Sequence, residues 1–253
     1  MKFRLDHMFV LLCAVGVVLF YFLGQGSYLL VLFANYGLIA FAGLAGVFGL
    51  IAFAKLGKST MGLVSLGFAI GLLSWMLGLV VYTYTYLVAN ADLPYLSLAD
   101  VFYFISYPPI ILGCIGLLRF FWPSSGRIGL LLTAIAGGLL CFAVVTYAVV
   151  PSIQALDNVL EIVVTALYPL LDVLILVLLL PLFLAFRKGI FGTAYALLAL
   201  GAALEAVGDL VFTYVNLAVG YYDGHPLDLL WFLGFISYAY GFWRQHAGFD
   251  LPE

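Results

Sequence analysis

Long uninterrupted apolar runs constrain this chain more than any other feature. Reading between polar or turn-forming breaks gives eight of them, at about 8–24, 28–54, 60–89, 98–121, 127–150, 158–186, 190–219 and 227–244. A helix needs roughly 20 apolar residues to cross a bilayer. A β-barrel would instead show alternating stretches of about ten. Only 8% of the 253 residues are charged and the mean hydropathy is +1.23. So few polar side chains cannot cover the surface of a water-soluble globule. The pI near 5.5 and the lack of a basic patch exclude nucleic acid as a partner. The expected architecture is an all-α, polytopic helical bundle in the lipid bilayer.

Charge sets an orientation. Threading eight spans places Lys2, Arg4, Lys55, Lys58, Arg119, Arg127, Arg187, Lys188 and Arg244, every Lys and Arg of the chain, on one side. By the positive-inside bias that side is the cytoplasm, so both termini are expected there, in the cytoplasmic membrane. Asp92, Asp100, Asp157, Glu161, Asp223 and Asp228 fall on or near the other side. The first run follows Lys2 and Arg4 in the manner of a signal peptide, but Phe22-Leu23-Gly24-Gln25-Gly26 offers no small-x-small cleavage site, so a retained helix is expected.

The chain also resembles itself. Ala52-Phe53-Ala54-Lys55 matches Ala185-Phe186-Arg187-Lys188, and Ser65-Leu66-Gly67-Phe68-Ala69 lines up with Ala199-Leu200-Gly201-Ala202-Ala203. Phe104-Ile105-Ser106-Tyr107 recurs as Phe235-Ile236-Ser237-Tyr238. One membrane domain over 1–253 is expected, built from four-helix repeats at 1–122 and 123–246, with a short tail at 247–253. An even number of spans per repeat relates the copies by an axis along the membrane normal.

Ionisable residues inside a span point by default to a site. On the sixth span Glu161, Thr165, Tyr168 and Asp172 recur at helical spacing, and on the seventh so do Glu205, Asp209 and Asn216. Counted from the turn at 187–189, Asp172 and Glu205 lie at equal depth, roughly 22 Å in at 1.5 Å per residue. No Lys, Arg or His lies at that depth. Three carboxylates without a cation cannot all stay ionised in hydrocarbon. They take up protons or bind a metal ion or an ammonium-bearing ligand; alternatively, protonated acids bond to Tyr, Thr and Asn neighbours and hold helices together. Gly71 and Trp75 stand near the places of Glu205 and Asp209 in the first repeat, so a polar site would belong to the second half.

Asp100 and Asp228 read as first-turn acids at helix starts, behind Ser97 and Pro226 respectively. Tyr82, Tyr84, Tyr86, Tyr95, Tyr103, Tyr107, Tyr214, Tyr221, Tyr222 and Trp231 crowd the outer half. They form an interfacial belt, or else the wall of an outward-opening pocket above Asp209 and Glu205 that suits a lipophilic cation. Pro108, Pro109, Pro169 and Pro181 are expected to bend their helices. With His7, His225 and His246 at the edges, no bis-histidine haem site can form, and no mid-span lysine offers a retinal Schiff base. Cys13, Cys114 and Cys141 suggest neither disulfides nor a metal cluster. No nucleophile, HExxH or phosphate-loop motif occurs, so neither an enzyme nor a cofactor is expected.

Ser97-Leu98-Ala99-Asp100-Val101-Phe102-Tyr103 with Tyr107-Pro108 resembles the multi-helix membrane sensor regions of prokaryotic histidine kinases and diguanylate cyclases. Tyr168-Pro169-Leu170-Leu171-Asp172, Glu205-Ala206-Val207-Gly208-Asp209 and Pro226-Leu227-Asp228-Leu229-Leu230-Trp231 are similar to later blocks of those regions, so the likeness covers about 60–245. Those proteins continue into an output domain, and this chain stops at Glu253. The resemblance implies a non-enzymatic, sensor-like or accessory membrane protein that passes a signal to another membrane protein, with a small cationic or lipophilic ligand at Asp172, Glu205 and Asp209. A small proton- or cation-coupled transporter and a structural subunit of a larger complex are the other expectations.

Overall fold

The eight apolar runs become eight helical rods. The computed structural model describes residues 5–91, 96–121, 126–186 and 192–247. The rods are α1 (Leu5–Leu23), α2 (Tyr28–Leu56), α3 (Thr60–Thr83, running on as a π-helical turn Tyr84–Val88), α4 (Leu98–Phe121), α5 (Gly126–Val144), α7 (Val159–Phe186), α8 (Gly192–Ala218) and α9 (Asp228–Ala247). The π turn Val145–Val149 joins α5 to the short α6 (Val150–Ala155), and together they make the fifth rod.

Local chemistry sets the rod ends. Ser27 and Ser59 cap α2 and α3, accepting from the N–H groups of Leu30 and Gly62 at 3.2 and 3.1 Å. Gly57 ends α2 at φ +59°, a backbone state open to glycine at little cost. At the start of α4 the Ser97 N–H and hydroxyl both donate to Asp100 Oδ2, half of a capping box. Pro108 and Pro109 lie inside α4, and Pro169 and Pro181 inside α7; both helices continue across them.

Six rods close into a ring. Each packs on the next in the order α2, α3, α4, α7, α8, α9 and back to α2. Outside it, α1 lies on α9, and α5 lies on α7. A seam of small residues on α2 (Ala42, Ala45, Gly46, Gly49) is buried, and a Cβ on Gly46 would come within 2.7 Å of Leu73. Inside the ring Phe68, Phe232, Phe235, Phe242 and Leu198 are buried, with Phe33 stacked on Phe232 at 5.2 Å. The outward faces stay apolar: Leu12, Leu23, Leu131, Leu139 and Phe142 are exposed, as suits side chains that meet lipid.

Six helical segments are long and apolar enough to cross a membrane: Tyr28–Leu56, Thr60–Val88, Leu98–Gly116, Leu131–Ala155, Val159–Pro181 and Gly192–Ala218. The chain is a multi-pass helical membrane protein. The expected first and eighth spans fall short of that measure. In α1 the apolar stretch is Val10–Leu23. In α9 the residues facing the ring include Asp228, Ser237 and Gln245, all buried. Of the positions used for orientation and repeat boundaries, Lys2, Arg4, Asp92, Arg187, Lys188, the junction at 122–125 and the tail beyond 247 lie outside the described residues, as does Tyr95.

Candidate functional site

The intramembrane acids of α7 and α8 converge. Asp172 and Asp209 approach within hydrogen-bonding range of each other's carboxyls, and Glu205, one turn before Asp209 in α8, interacts with both. All three are buried. A hydrogen bond between two carboxyl groups requires a proton between them, so this contact suits a shared proton.

Each paired acid also has an aromatic donor. The Tyr107 hydroxyl on α4 donates to Asp172 Oδ1 at 3.0 Å, and the Trp231 indole N–H on α9 donates to Asp209 Oδ1 at 2.8 Å. Glycines allow these approaches. A Cβ on Gly208 would stand 2.9 Å from Trp231 Nε1, and one on Gly234 would stand 2.5 Å from Glu205 Oε1. Glu205 Oε1 and Asp172 Oδ2 are buried and receive no hydrogen bond from any donor among the described residues.

Asp172 and Glu205 line a cavity of about 30 Å³ between α3, α4, α7, α8 and α9. Gly71, Trp75, Ser106, Tyr107, Phe235 and Tyr238 are among its walls, and no Lys, Arg or His lines it. Such a volume admits one or two waters and excludes a lipophilic cation. In place of the wide aromatic pocket expected for such a ligand, the structure has a water-sized space among Trp75, Tyr107, Phe235 and Tyr238. The restriction of the site to the second half is corrected as well. The acids come from that half, but α3 and α4 of the first half supply part of the wall, including Gly71 and Trp75 themselves.

The remaining candidates lie elsewhere. Tyr168, on the same α7 face as Asp172, turns to α4: its hydroxyl donates to Asp100 Oδ1 at 2.7 Å and its ring stacks on Phe104. Glu161 sits in the first turn of α7 beside Asn158, 3.4 Å from its side-chain amide. Asn216 is exposed and contacts only the Tyr221 N–H, at 3.5 Å. Neither belongs to the acid cluster.

Toward the 219–227 loop the acids are fully partnered. Asp228 accepts from the hydroxyls of Tyr21 and Tyr221 and from the Gly224 N–H. Asp223 accepts from Asn35 and Tyr82, both at 2.9 Å, and Asn35 accepts from Thr83. These contacts tie the loop to α1, α2 and α3. Burial pushes the Asp223 carboxyl above the usual aspartate range, against the opposing pull of Asn35 and Tyr82. Burial pushes the His225 imidazole down, and its Nδ1 accepts from the Leu227 N–H. Tyr82, Tyr107, Tyr221 and Trp231 thus serve as donors to acids, while Tyr84, Tyr86, Tyr214 and Tyr222 are exposed as belt residues would be.

Sequence reasoning placed Tyr107 and Trp231 among the aromatics but gave neither an acid. Their depth was the available signal, because a hydroxyl or indole N–H well inside a span needs a buried acceptor. Comparison with protein families, with curated proteins and with solved structures finds no match to this chain.

Proposed function

We propose that the protein is a non-enzymatic membrane protein of sensor-like or accessory type, whose buried acids take up a proton and whose ring of helices reports that change to a partner in the bilayer. One observation carries this reading: three acids from two adjacent helices meet, two of them, Asp172 and Glu205, on the wall of a water-sized cavity that no Lys, Arg or His among the described residues lines. Acids serving only to hold helices together would have their oxygens partnered, as those of Asp223 and Asp228 are. Here two buried carboxyl oxygens lack a donor.

Buried polar groups stand on both sides of the cluster, Asp223 and Asp228 toward the 219–227 loop and the hydrogen-bonded Ser65 and Gln245 toward the other end. Beyond Glu205 the interior is filled by Phe68, Phe242 and Leu198. The likeness to sensor regions of histidine kinases and diguanylate cyclases favours the sensor reading.

Eight spans with both ends in the cytoplasm complete the proposal, α1 and α9 crossing with the rest in the cytoplasmic membrane. The ring supports a repeat: α2–α3–α4 and α7–α8–α9 join through α4–α7 and α9–α2, as a twofold axis along the membrane normal requires. α1 and α5 depart from it, since one packs on the opposite unit and the other on its own.

The test is native mass spectrometry of protein extracted gently from its own membranes at two pH values, beside proton flux in proteoliposomes. The expected result is a protein partner whose retention depends on pH, a dependence lost in Asp172→Asn, with no flux. Flux that needs Asp172 or Asp209 would establish the transporter reading instead. A partner held equally at both pH values and by Asp172→Asn would mark a structural subunit.

A further inference from the structure

The cavity narrows what the acid cluster binds. The two donor-less oxygens, Asp172 Oδ2 and Glu205 Oε1, belong to lining side chains more than nine-tenths buried, with 6% and 8% exposure. Two nearby donors are committed elsewhere, the Tyr107 hydroxyl to Asp172 Oδ1 and the Ser106 hydroxyl to the Tyr103 carbonyl, while Tyr238, with its hydroxyl, and Trp75, with its indole N–H, also line the space. An occupant able both to donate and to accept suits these two oxygens. At about 30 Å³ it is the size of water, and the space excludes a quaternary ammonium. A metal ion does not fit either, because no group of three His, Cys, Asp or Glu among the described residues could hold one.

We propose that a water bridges Asp172 Oδ2 and Glu205 Oε1 and carries a proton from the aspartate pair to the glutamate, which is the terminal store. This rests on the proton-uptake reading above and names its route. A proton reaching the cluster loads the Asp172–Asp209 pair. The Oδ2–H bond of Asp172 then breaks as the water takes that proton. One of the water's own O–H bonds breaks as Glu205 Oε1 gains a proton, so the water is regenerated and the negative charge passes from Glu205 to Asp172. Asp209 returns its proton to Asp172 across their shared hydrogen bond. The net change is one proton gained at Glu205.

The surroundings keep the charge within the cluster. Facing it are the Tyr103 and Tyr107 hydroxyls and the Cys114 thiol from α4, and the Tyr238 hydroxyl from α9. On α3 the groups at this level are Gly71, Leu72 and Trp75, none of which titrates. Glu205 Oε1 lies against the bare Cα of Gly234, so a change of charge there bears directly on the α8–α9 contact.

The experiment is infrared difference spectroscopy across a pH step on the whole protein in nanodiscs, in ordinary water and in ¹⁸O-labelled water. The expected wild-type spectrum has a carboxylic carbonyl band that grows at low pH and a water O–H band that shifts with ¹⁸O. Glu205→Gln should remove both. Ala202→Leu, which fills the cavity and leaves every acid in place, should remove the water band and at least halve the carbonyl change. Absence of an isotope-shifted water band in the wild type, or its survival in Glu205→Gln, overturns the relay while leaving proton uptake intact. Absence of any titrating carboxylic band overturns both. Should Ala202→Leu fail to fold, the wild-type isotope shift and Glu205→Gln decide alone.

Discussion

At the residue scale, Tyr107 and Trp231 show how a membrane interior uses amphipathic aromatics. Each fills volume among apolar side chains and gives its one donor to an acid. Tyr107→Phe and Trp231→Phe keep the ring packing and remove that donor. Each should lower stability in detergent by about 1 kcal/mol, while Tyr214→Phe, at an exposed ring, should have no measurable effect. Equal effects of all three would contradict the assignment.

Asp223 gives a pH dependence whose sign can be worked out. Its value in the folded protein is raised, so between the unfolded and folded values the folded state binds more proton. Its stabilising contribution is then complete below about pH 4 and declines as pH rises through the raised value. Thermal unfolding between pH 4 and 7 should show the wild type losing ground to Asp223→Asn as pH rises. Parallel curves would refute it.

At the scale of the element, helical spacing made the acid stripes of α7 and α8 legible, but not where each stripe is divided between neighbours. α7 packs on α4, α5 and α8. Its Tyr168 therefore meets Asp100 on α4, while Asp172, one turn further in, reaches both Tyr107 on α4 and Asp209 on α8. Periodicity fixes which residues share a face and is silent on how one face serves two partners. Asn216 lies two turns beyond Asp209, near the loop end and outside the packed contact, which its spacing did not reveal. Glycine is the clearest handle on the α8–α9 contact. Gly234→Ala would drive a methyl against Glu205 Oε1 and should cost about 1 to 3 kcal/mol. Gly138→Ala has nothing within 4 Å of the added carbon and should be neutral or stabilising by up to about 1 kcal/mol. Similar losses from both would mean that helix propensity, not contact, governs.

Across the whole molecule, apolar run length and sparse charge made the membrane bundle readable, because lipid leaves a polypeptide few ways to satisfy its backbone. Ring closure was not readable. The pairings α4–α7 and α9–α2 bring Gly71, Trp75 and Ser106 to a cavity whose acids lie a hundred residues away, and no local pattern records that. α9 shows the opposite failure: its buried Asp228, Ser237 and Gln245 lower its hydropathy because they face protein instead of lipid. In a background with Cys13, Cys114 and Cys141 replaced by Ser, single cysteines at Ser59 and Tyr222 should label from opposite faces of the membrane. Labelling from one face would remove the proposed threading.

The most direct test of a site, as against helix glue, is the thermal stability of Asp172→Asn and Glu205→Gln across pH. An amide at 172 still accepts from Tyr107 and brings a donor toward Asp209, and a neutral group at 205 no longer confronts two neighbouring acids. Acids kept for function at the expense of stability should therefore give variants as stable as the wild type or more so, with a flatter pH profile. A loss of several degrees in both variants at every pH would show that the acids are there to hold the helices together.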